Sequence, residues 1–320
     1  MAAATGEAVG GVVELRQLEV FLAVVETGTI SAAARRLGAA QSAVSTVVRA
    51  LEEDLGAVLF TRTSRRAVPT DAGRALLPQA RRVLAGVGEA RAVVREAGDG
   101  PSGPLAVGVV TTMQPVDLPR LLHRFTAAHP RVSVSMRVVA DGSRGLLRAL
   151  VEGELDVAFL SWPFRPPGRV ELRPLVRTSF RLLLPRAHPL ASPSPLDLAD
   201  LAGERWIDGP PGFGNRLQVD ALFERAGARR AVVLEVPDVS TFPAYVAAGL
   251  GVALVPGTVP VPAGVHEQPV RLGAAGDLAW SLSLATVRPT PDRPARKAVT
   301  AFAAAVDDDV RRAGLSTRGR

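Results

Sequence analysis

A chain of 320 residues exceeds the usual size of one hydrophobic core, so two or three domains are expected, and 47% hydrophobic content is enough to fill them. It contains no cysteine, which excludes a disulfide framework, a thiolate metal site and a thiol nucleophile. The formal charge of +7 is carried almost wholly by Arg, with Lys297 the single lysine, in a chain also rich in Ala, Gly and Pro; that is a compositional habit, so partners are read from where the arginines sit.

The opening MAAATGEAVGGVV has neither the basic flank nor the apolar run of a targeting segment, and nothing along the chain is apolar for long enough to span a bilayer, so a cytoplasmic protein is expected. ELRQLEVFLAVVETG places Leu15, Leu18, Phe21, Leu22 and Val25 on one helix face, ending near Gly28. Thr29 then caps a second helix, in which Ile30, Ala33, Ala34 and Leu37 repeat the helical spacing before Gly38 stops it. After Ala40 comes QSAVSTVVRALEEDL, with Val44, Val47, Val48, Leu51 and Leu55 on a core face. Its opposite face carries Gln41, Ser42, Ser45, Thr46 and Arg49, and no Asp or Glu occurs from Thr27 to Leu51. Such a stripe is either a solvated surface or a face that meets a polyanion. GAVLFTRTSRRAVPT follows, two short apolar runs around a basic tip, readable as a two-stranded wing.

In order, these segments carry A-A-x-x-L at Ala33 to Leu37, Q-S-A-V-S from Gln41, R-x-L-E-x-x-L-G from Arg49, L-F-x-R from Leu59 and T-x-A-G from Thr70. Together they resemble the winged helix-turn-helix of LysR-type transcriptional regulators. The resemblance implies a domain over 14–71 that binds double-stranded DNA. Gln41, Ser42, Ser45 and Arg49 stand at its contact positions, and Arg62, Arg65 and Arg66 reach phosphates or the minor groove from the wing. Donors and acceptors without an acid are what a major-groove helix needs, and Glu52, Glu53 and Asp54 arrive only where it should be leaving the groove. Arg35 and Arg36, on the second helix, serve phosphate contact or plain solubility. Thr46 stands where the family has a longer basic or amide side chain. Ala40 stands where it has a capping Ser or Thr, a loss of roughly 0.5–2 kcal/mol of capping.

From Thr70 a long helix places Leu76, Ala80, Val83, Val87, Ala90 and Val94 at alternating spacings of four and three, an a/d seam. The seam packs either on its own domain or, as the resemblance implies for a linker helix over 72–98, against a second copy. Pro78 should bend this helix or end its first segment. Asp99 to Gly103 break every periodicity and mark a domain boundary.

Beyond it, strand and helix patterns alternate: LAVGVV, DLPRLLHRFTAAHP, VSVSMRVVA, GSRGLLRALVEG and LDVAFL, then a second set from Phe180, with LAWSLSLATV and a helix around Ala295 to Asp309 returning to the first. The phrases GELDVAF, LPRAHPLA and VAAGLGVALVP resemble the same family's effector-binding half. That half is a two-lobed α/β fold of the periplasmic-binding-protein type over 103–312, with lobe I about 103–163 plus 285–312 and lobe II about 164–284. In such sheets ligands sit beyond strand carboxyl ends, where helix N-termini offer free amides. Thr111, Thr112 and Met113, then Ser143, and then Pro211, Gly212, Phe213 and Arg216 occupy such places. By resemblance Ser161, Trp162, Thr241 and Phe242 join them around a cleft. For each the alternative is ordinary capping, turn formation or packing. Hydroxyls and amide dipoles favour a small anionic effector, with Arg216 as counter-charge.

No G-x-S-x-G, H-E-x-x-H or complete dinucleotide motif occurs, and His123, His129, His188 and His266 are dispersed, so neither an enzyme nor a cofactor is expected. The expectation is a regulator whose DNA binding or bending is controlled by an effector. The resemblance also implies a homodimer, its pairing into a homotetramer, and contact with RNA polymerase. The competing reading is a solute-binding sensor whose front end only mediates assembly.

Overall fold

The computed structural model describes residues 12–62, 66–96, 100–111, 113, 115–271, 279–290 and 294–314. They fall into two compact units, Met1–Arg91 with Glu152–Glu154, and Ala92–Val151 with Leu155–Arg320. The division lies inside a helix, ahead of the break in periodicity expected at Asp99 to Gly103.

In the first unit, α1 (Leu15–Thr27), α2 (Ile30–Leu37) and α3 (Gln41–Asp54) precede strands β1 (Phe60–Arg62) and β2 (Ala67–Pro69) and helix α4 (Asp71–Glu96). Phe21, Val24, Ala33, Val44, Val48 and Leu51 form the centre of its core. Thr29 caps α2 by accepting the Ala32 N–H, and Gly38 closes it in the left-handed conformation, as the sequence requires. No side chain caps α3 at Ala40. Because α1 packs against α2, α3 and β2, it buries more than the expected face: Val20, Ala23 and Val24 are interior, while Leu15 is 40% exposed. Leu55, also expected inside, is 40% exposed at the C-cap of α3, although its backbone is still helical and its N–H donates to Leu51 O at 3.0 Å.

Polar side chains fix the helices to one another. The buried Gln17 side chain accepts the Glu14 N–H at 2.8 Å and donates to Asp54 at the end of α3 at 2.7 Å. Glu52 accepts the N–H groups of Leu59 and Phe60 at 2.8 and 3.3 Å, setting where β1 begins. The Thr70 N–H donates to Leu59 O at 2.9 Å, and the Thr70 hydroxyl accepts the Gly73 N–H at 3.1 Å while donating to Val58 O at 2.7 Å. The start of α4 thereby lies so close to Leu59 that a Cβ on Gly73 would stand 2.3 Å from its carbonyl oxygen. The helix does not end at Pro78; α4 runs through it.

In the second unit, β3 (Gly103–Gly108), α5 (Leu118–Ala128), β4 (Val132–Arg137), α6 (Gly142–Val151), β5 (Val157–Leu160) and β6 (Val170–Thr178) come first. Then follow β7 (Phe180–Pro185), β8 (Leu196–Asp197), β9 (Arg205–Asp208), α7 (Gly214–Arg225), β10 (Ala231–Glu235), α8 (Phe242–Ala247) and β11 (Ala253–Pro256). β12 (Val265–Gln268), β13 (Val270–Arg271), β14 (Trp280–Val287) and α9 (Lys297–Arg312) complete it. One lobe is built on a five-stranded sheet in the order β4-β3-β5-β14-β6, parallel from β4 to β5 and antiparallel beyond. The other is built on antiparallel β11-β7-β12 and parallel β9-β10, linked by a bridge between Trp206 and Val252.

The lobe limits differ from those expected. β6 pairs with β14 along its whole length, so residues 170–178 and 280–284 belong to the first lobe's sheet, and the chain crosses between lobes after Thr178 and before Trp280. VELRPLVRT does not alternate cleanly and contains Pro174, which a strand tolerates at the edge of a sheet, where β6 lies.

Candidate functional site

On α3, Val44, Val48 and Leu51 turn inward, and Gln41, Ser42, Thr46 and Arg49 are exposed on the other side, with Ser45 half-buried among them. The side-chain Oε1 of Gln41 accepts the Ser31 hydroxyl at 3.0 Å, joining the starts of α2 and α3, and Arg49 reaches towards the Ser45 hydroxyl at 3.5 Å. The Thr46 hydroxyl donates back to Ser42 O at 3.0 Å, so its proton is already given to the backbone of its own helix. Arg35 and Arg66 are exposed, whereas Arg36 pairs with Glu26 at 2.5 Å. Arg62 ends β1, and Arg65 lies outside the described residues. The result is an uncharged-to-cationic ridge held from behind by its own core.

The a/d seam divides. Ala80 is fully buried, and Leu76, Leu77 and Leu84 pack on the same core, so Ala80 has no surface left for a second copy, against expectation. Val83 and Val94 are 47% and 75% exposed, Ala90 is exposed, and Val87 is half-buried. The apolar surface that α4 leaves exposed lies further along the helix, at Val83, Ala90 and Val94.

In the second unit a small cavity of ≈ 50 Å³ opens between the lobes, where β3 and β9 end and α6 and α7 begin. Val109, Val139, Phe213, Val239, Phe242 and Trp280 give it apolar walls, and Thr111, Ser143, Ser161 and Asn215 give it polar atoms. The first turns of α6 and α7 touch through glycines. A Cβ on Gly142 would stand 2.8 Å from Phe213, one on Gly212 2.8 Å from Asp141 O, and one on Gly214 2.5 Å from the Ser161 Cβ. The Arg144 N–H donates to Gly212 O at 3.0 Å across that contact. Ser143 and Ser161 are buried; Ser143 Oγ accepts the Ser161 N–H at 3.1 Å, and Ser161 Oγ accepts from Gln218. Thr111 Oγ1 donates to Pro237 O at 3.2 Å.

The remaining expected residues lie elsewhere. Met113 packs on the largest hydrophobic cluster of the second unit, and Trp162 packs beside α6 with Phe164 edge-on at 5.5 Å. Pro211 is exposed, Gly212 meets α6 rather than the cavity, and the Thr241 hydroxyl closes its own turn on Asp238 O at 2.7 Å. Thr112 is outside the described residues. Arg216 does not serve as a counter-charge in the cavity: its guanidinium pairs with Asp220 at 3.0 Å and Glu235 at 3.3 Å and donates to Gly209 O at 3.2 Å. Asp220, four residues on along the same helix, was the sequence signal for that pairing.

Asn215 and Trp280 were not foreseen. Asn215 donates to Asp208 Oδ1 at 3.3 Å and to Leu254 O at 3.1 Å. Burial pushes the Asp208 carboxyl above the usual 3.8, opposed by Arg230 at 2.5 Å and by hydrogen bonds from Gly209 and Asn215. Among the described residues no group of His, Asp or Glu is arranged to hold a metal ion, and no helix is long and apolar enough to cross a membrane.

Residues 15–74 match the family described as "Bacterial regulatory helix-turn-helix protein, lysR family", and residues 98–310 match "LysR substrate binding domain". The "HTH-type transcriptional regulator ShiR" of Corynebacterium glutamicum (strain R) is 33% identical over 273 residues, 82% of this chain and 92% of that protein. The "Probable hydrogen peroxide-inducible genes activator" of Mycobacterium leprae (strain TN) is 34% identical over 240 residues, 75% of this chain and 76% of that one. Full-length CbnR, solved in complex with its target DNA, superimposes with a TM-score of 0.60 at 27% identity, over 93% of this chain and 100% of that one.

Proposed function

The chain belongs to the LysR family of DNA-binding transcriptional regulators, and from that premise we propose how its residues divide the work. Gln41, Ser42, Ser45 and Arg49 read base edges in the major groove, Thr46 adds its methyl group, and Arg35, Arg62, Arg65 and Arg66 hold phosphates. The observation that carries this reading is the exposed, acid-free ridge of α3 over a buried Val44–Val48–Leu51 face. Two copies associate through Val83, Val87, Ala90 and Val94 of α4, which sets two recognition helices on one side of a duplex. Pairing of dimers into a tetramer, contact with RNA polymerase and a cytoplasmic location are part of the same proposal and are supported by the family alone.

The inter-lobe cavity is the effector site, lined by Thr111, Ser143, Ser161, Phe213, Asn215 and Trp280, and it works by binding. An effector that prefers one degree of lobe closure shifts the balance between DNA-bound arrangements. The mycobacterial relative's name concerns hydrogen peroxide; without cysteine this chain has no thiol to sense it, and that response is not carried over.

A gel-shift titration against the DNA upstream of its own gene tests the assignment. Tight binding should weaken steeply with salt, with a log-log slope of about 0.9 for each phosphate neutralised. Salt-independent binding, or none to any duplex, would refute it.

A further inference from the structure

We propose that the effector is uncharged: a compact, mostly apolar molecule carrying both a hydrogen-bond acceptor and a donor, as a lactam or primary amide does. This rests on the inter-lobe cavity being the effector site.

Two buried polar atoms on the cavity's lining residues have no hydrogen-bond partner among the described residues, the indole Nε1 of Trp280 and Oδ1 of Asn215. Trp280 is 6% exposed and Asn215 8%. An indole N–H only donates, so Trp280 calls for an acceptor. The orientation of the Asn215 amide is fixed, because its Nδ2 faces two acceptors, Asp208 Oδ1 and Leu254 O. Turning the group over would set oxygen against oxygen, so Oδ1 remains an acceptor that calls for a donor. The serine oxygens nearby are already accepting, Ser143 from the Ser161 N–H and Ser161 from Gln218.

Charge decides against the obvious alternative. No Arg, Lys or His is among the described residues lining the cavity, and Arg216 is consumed by Asp220 and Glu235. A carboxylate would lose its hydration without meeting a full cation, and as an acceptor-only group it would leave Asn215 Oδ1 unmet. The partial positive ends of α6 and α7 work in its favour, yet in α6 the Arg144 N–H is already given to Gly212 O. An ammonium fails at the other side, facing those same helix ends and an indole donor. An amide offers the acceptor that the Trp280 indole calls for and the donor that Asn215 Oδ1 calls for, with a hydrocarbon part suited to Val109, Val139, Phe242 and the other apolar walls.

The test uses the full-length protein labelled with nitrogen-15, in which the three tryptophans give separate indole N–H signals. The signal lost in Trp280→Phe identifies Trp280, and Trp206, whose indole N–H already donates to Leu201 O at 3.2 Å, serves as an internal reference. The probes are lactams and primary amides of graded size, each with a ketone and a carboxylate of the same skeleton. Lactams or amides should move the Trp280 signal saturably, and the matching ketone should bind roughly threefold to tenfold more weakly, the loss of one neutral hydrogen bond. Val139→Phe, which fills the cavity and leaves Trp280 in place, should abolish the response even if Trp280→Phe proves too unstable to study. If the carboxylates move the signal and the amides do not, or if no amide moves it up to the solubility limit, the uncharged class is overturned. If amides stabilise the protein saturably while the Trp280 signal stays still, the cavity itself is not the effector site.

Discussion

Gly73→Ala sets two rules against each other. Alanine is the better helix former, and at an exposed interior position of a helix the exchange stabilises by about 0.5–1 kcal/mol. At Gly73 the added Cβ would stand 2.3 Å from Leu59 O and 3.2 Å from its carbonyl carbon, closer to the oxygen than the 3.0 Å that real Cβ atoms keep. Backbone must therefore yield, and Leu59 O is also the acceptor for Thr70 N–H. Overpacking costs about 1–3 kcal/mol and a weakened backbone hydrogen bond about 1 kcal/mol, so the net expectation is destabilisation by roughly 1–3 kcal/mol. Gly86, in the same helix with nothing within 4 Å of its Cβ position, is the control and should gain. All three tryptophans, Trp162, Trp206 and Trp280, lie in the second unit. Urea unfolding followed by far-ultraviolet circular dichroism should show the loss, while tryptophan fluorescence on the same samples should not move. A Gly73→Ala protein as stable as the Gly86→Ala protein would refute the close-approach explanation.

Arg49→Ala should remove sequence-specific DNA binding, a loss of about 1–3 kcal/mol for a base contact, with an unchanged melting curve; gel shifts against specific and scrambled duplexes check it. Val83→Glu puts a charge into the exposed part of the α4 seam and should shift sedimentation towards the monomer, with weaker binding to two-half-site DNA. Arg230→Met leaves the buried Asp208 carboxylate without its partner and should cost about 3–5 kcal/mol at neutral pH. A carboxyl whose folded pKa lies above the unfolded value of 3.8 keeps its full stability contribution below that value and loses it as pH rises through the folded pKa. The deficit of Arg230→Met should therefore shrink on acidification, as chemical denaturation at a series of pH values would show; a deficit that grows would contradict it.

The first unit was largely legible in the sequence because its signals are local. Thr29, Gly38 and the Val44–Val48–Leu51 spacing each act within a turn or two of helix, and the structure places them as expected. Helix phase was less secure: α1 meets several neighbours at once, so Leu15 fell outside while Val20 and Ala23 went in. The cavity was half legible. Ser143, Ser161, Thr111 and Phe213 follow from the rule that ligands sit at strand ends and helix starts, and Asn215, in the first turn of α7, obeys the same rule although its neutral amide gave no charge signal; Trp280 is brought there by long-range strand pairing. Seen alone, Arg216 looks like a ligand-binding cation; its neutralisation needs Glu235 from β10 as well as Asp220. β6 escaped notice because an edge strand with a proline has no clean two-residue period.

Gly142, Gly212 and Gly214 meet where the lobes close, and none has room for a Cβ. Glycine codons turn into those of alanine, serine, valine, aspartate or arginine by one base change, and at these positions each product is a wedge. In a genetic selection for regulators deaf to their signal yet still seated on the operator, these three codons should be hit again and again, with no need to touch the signal's own contacts.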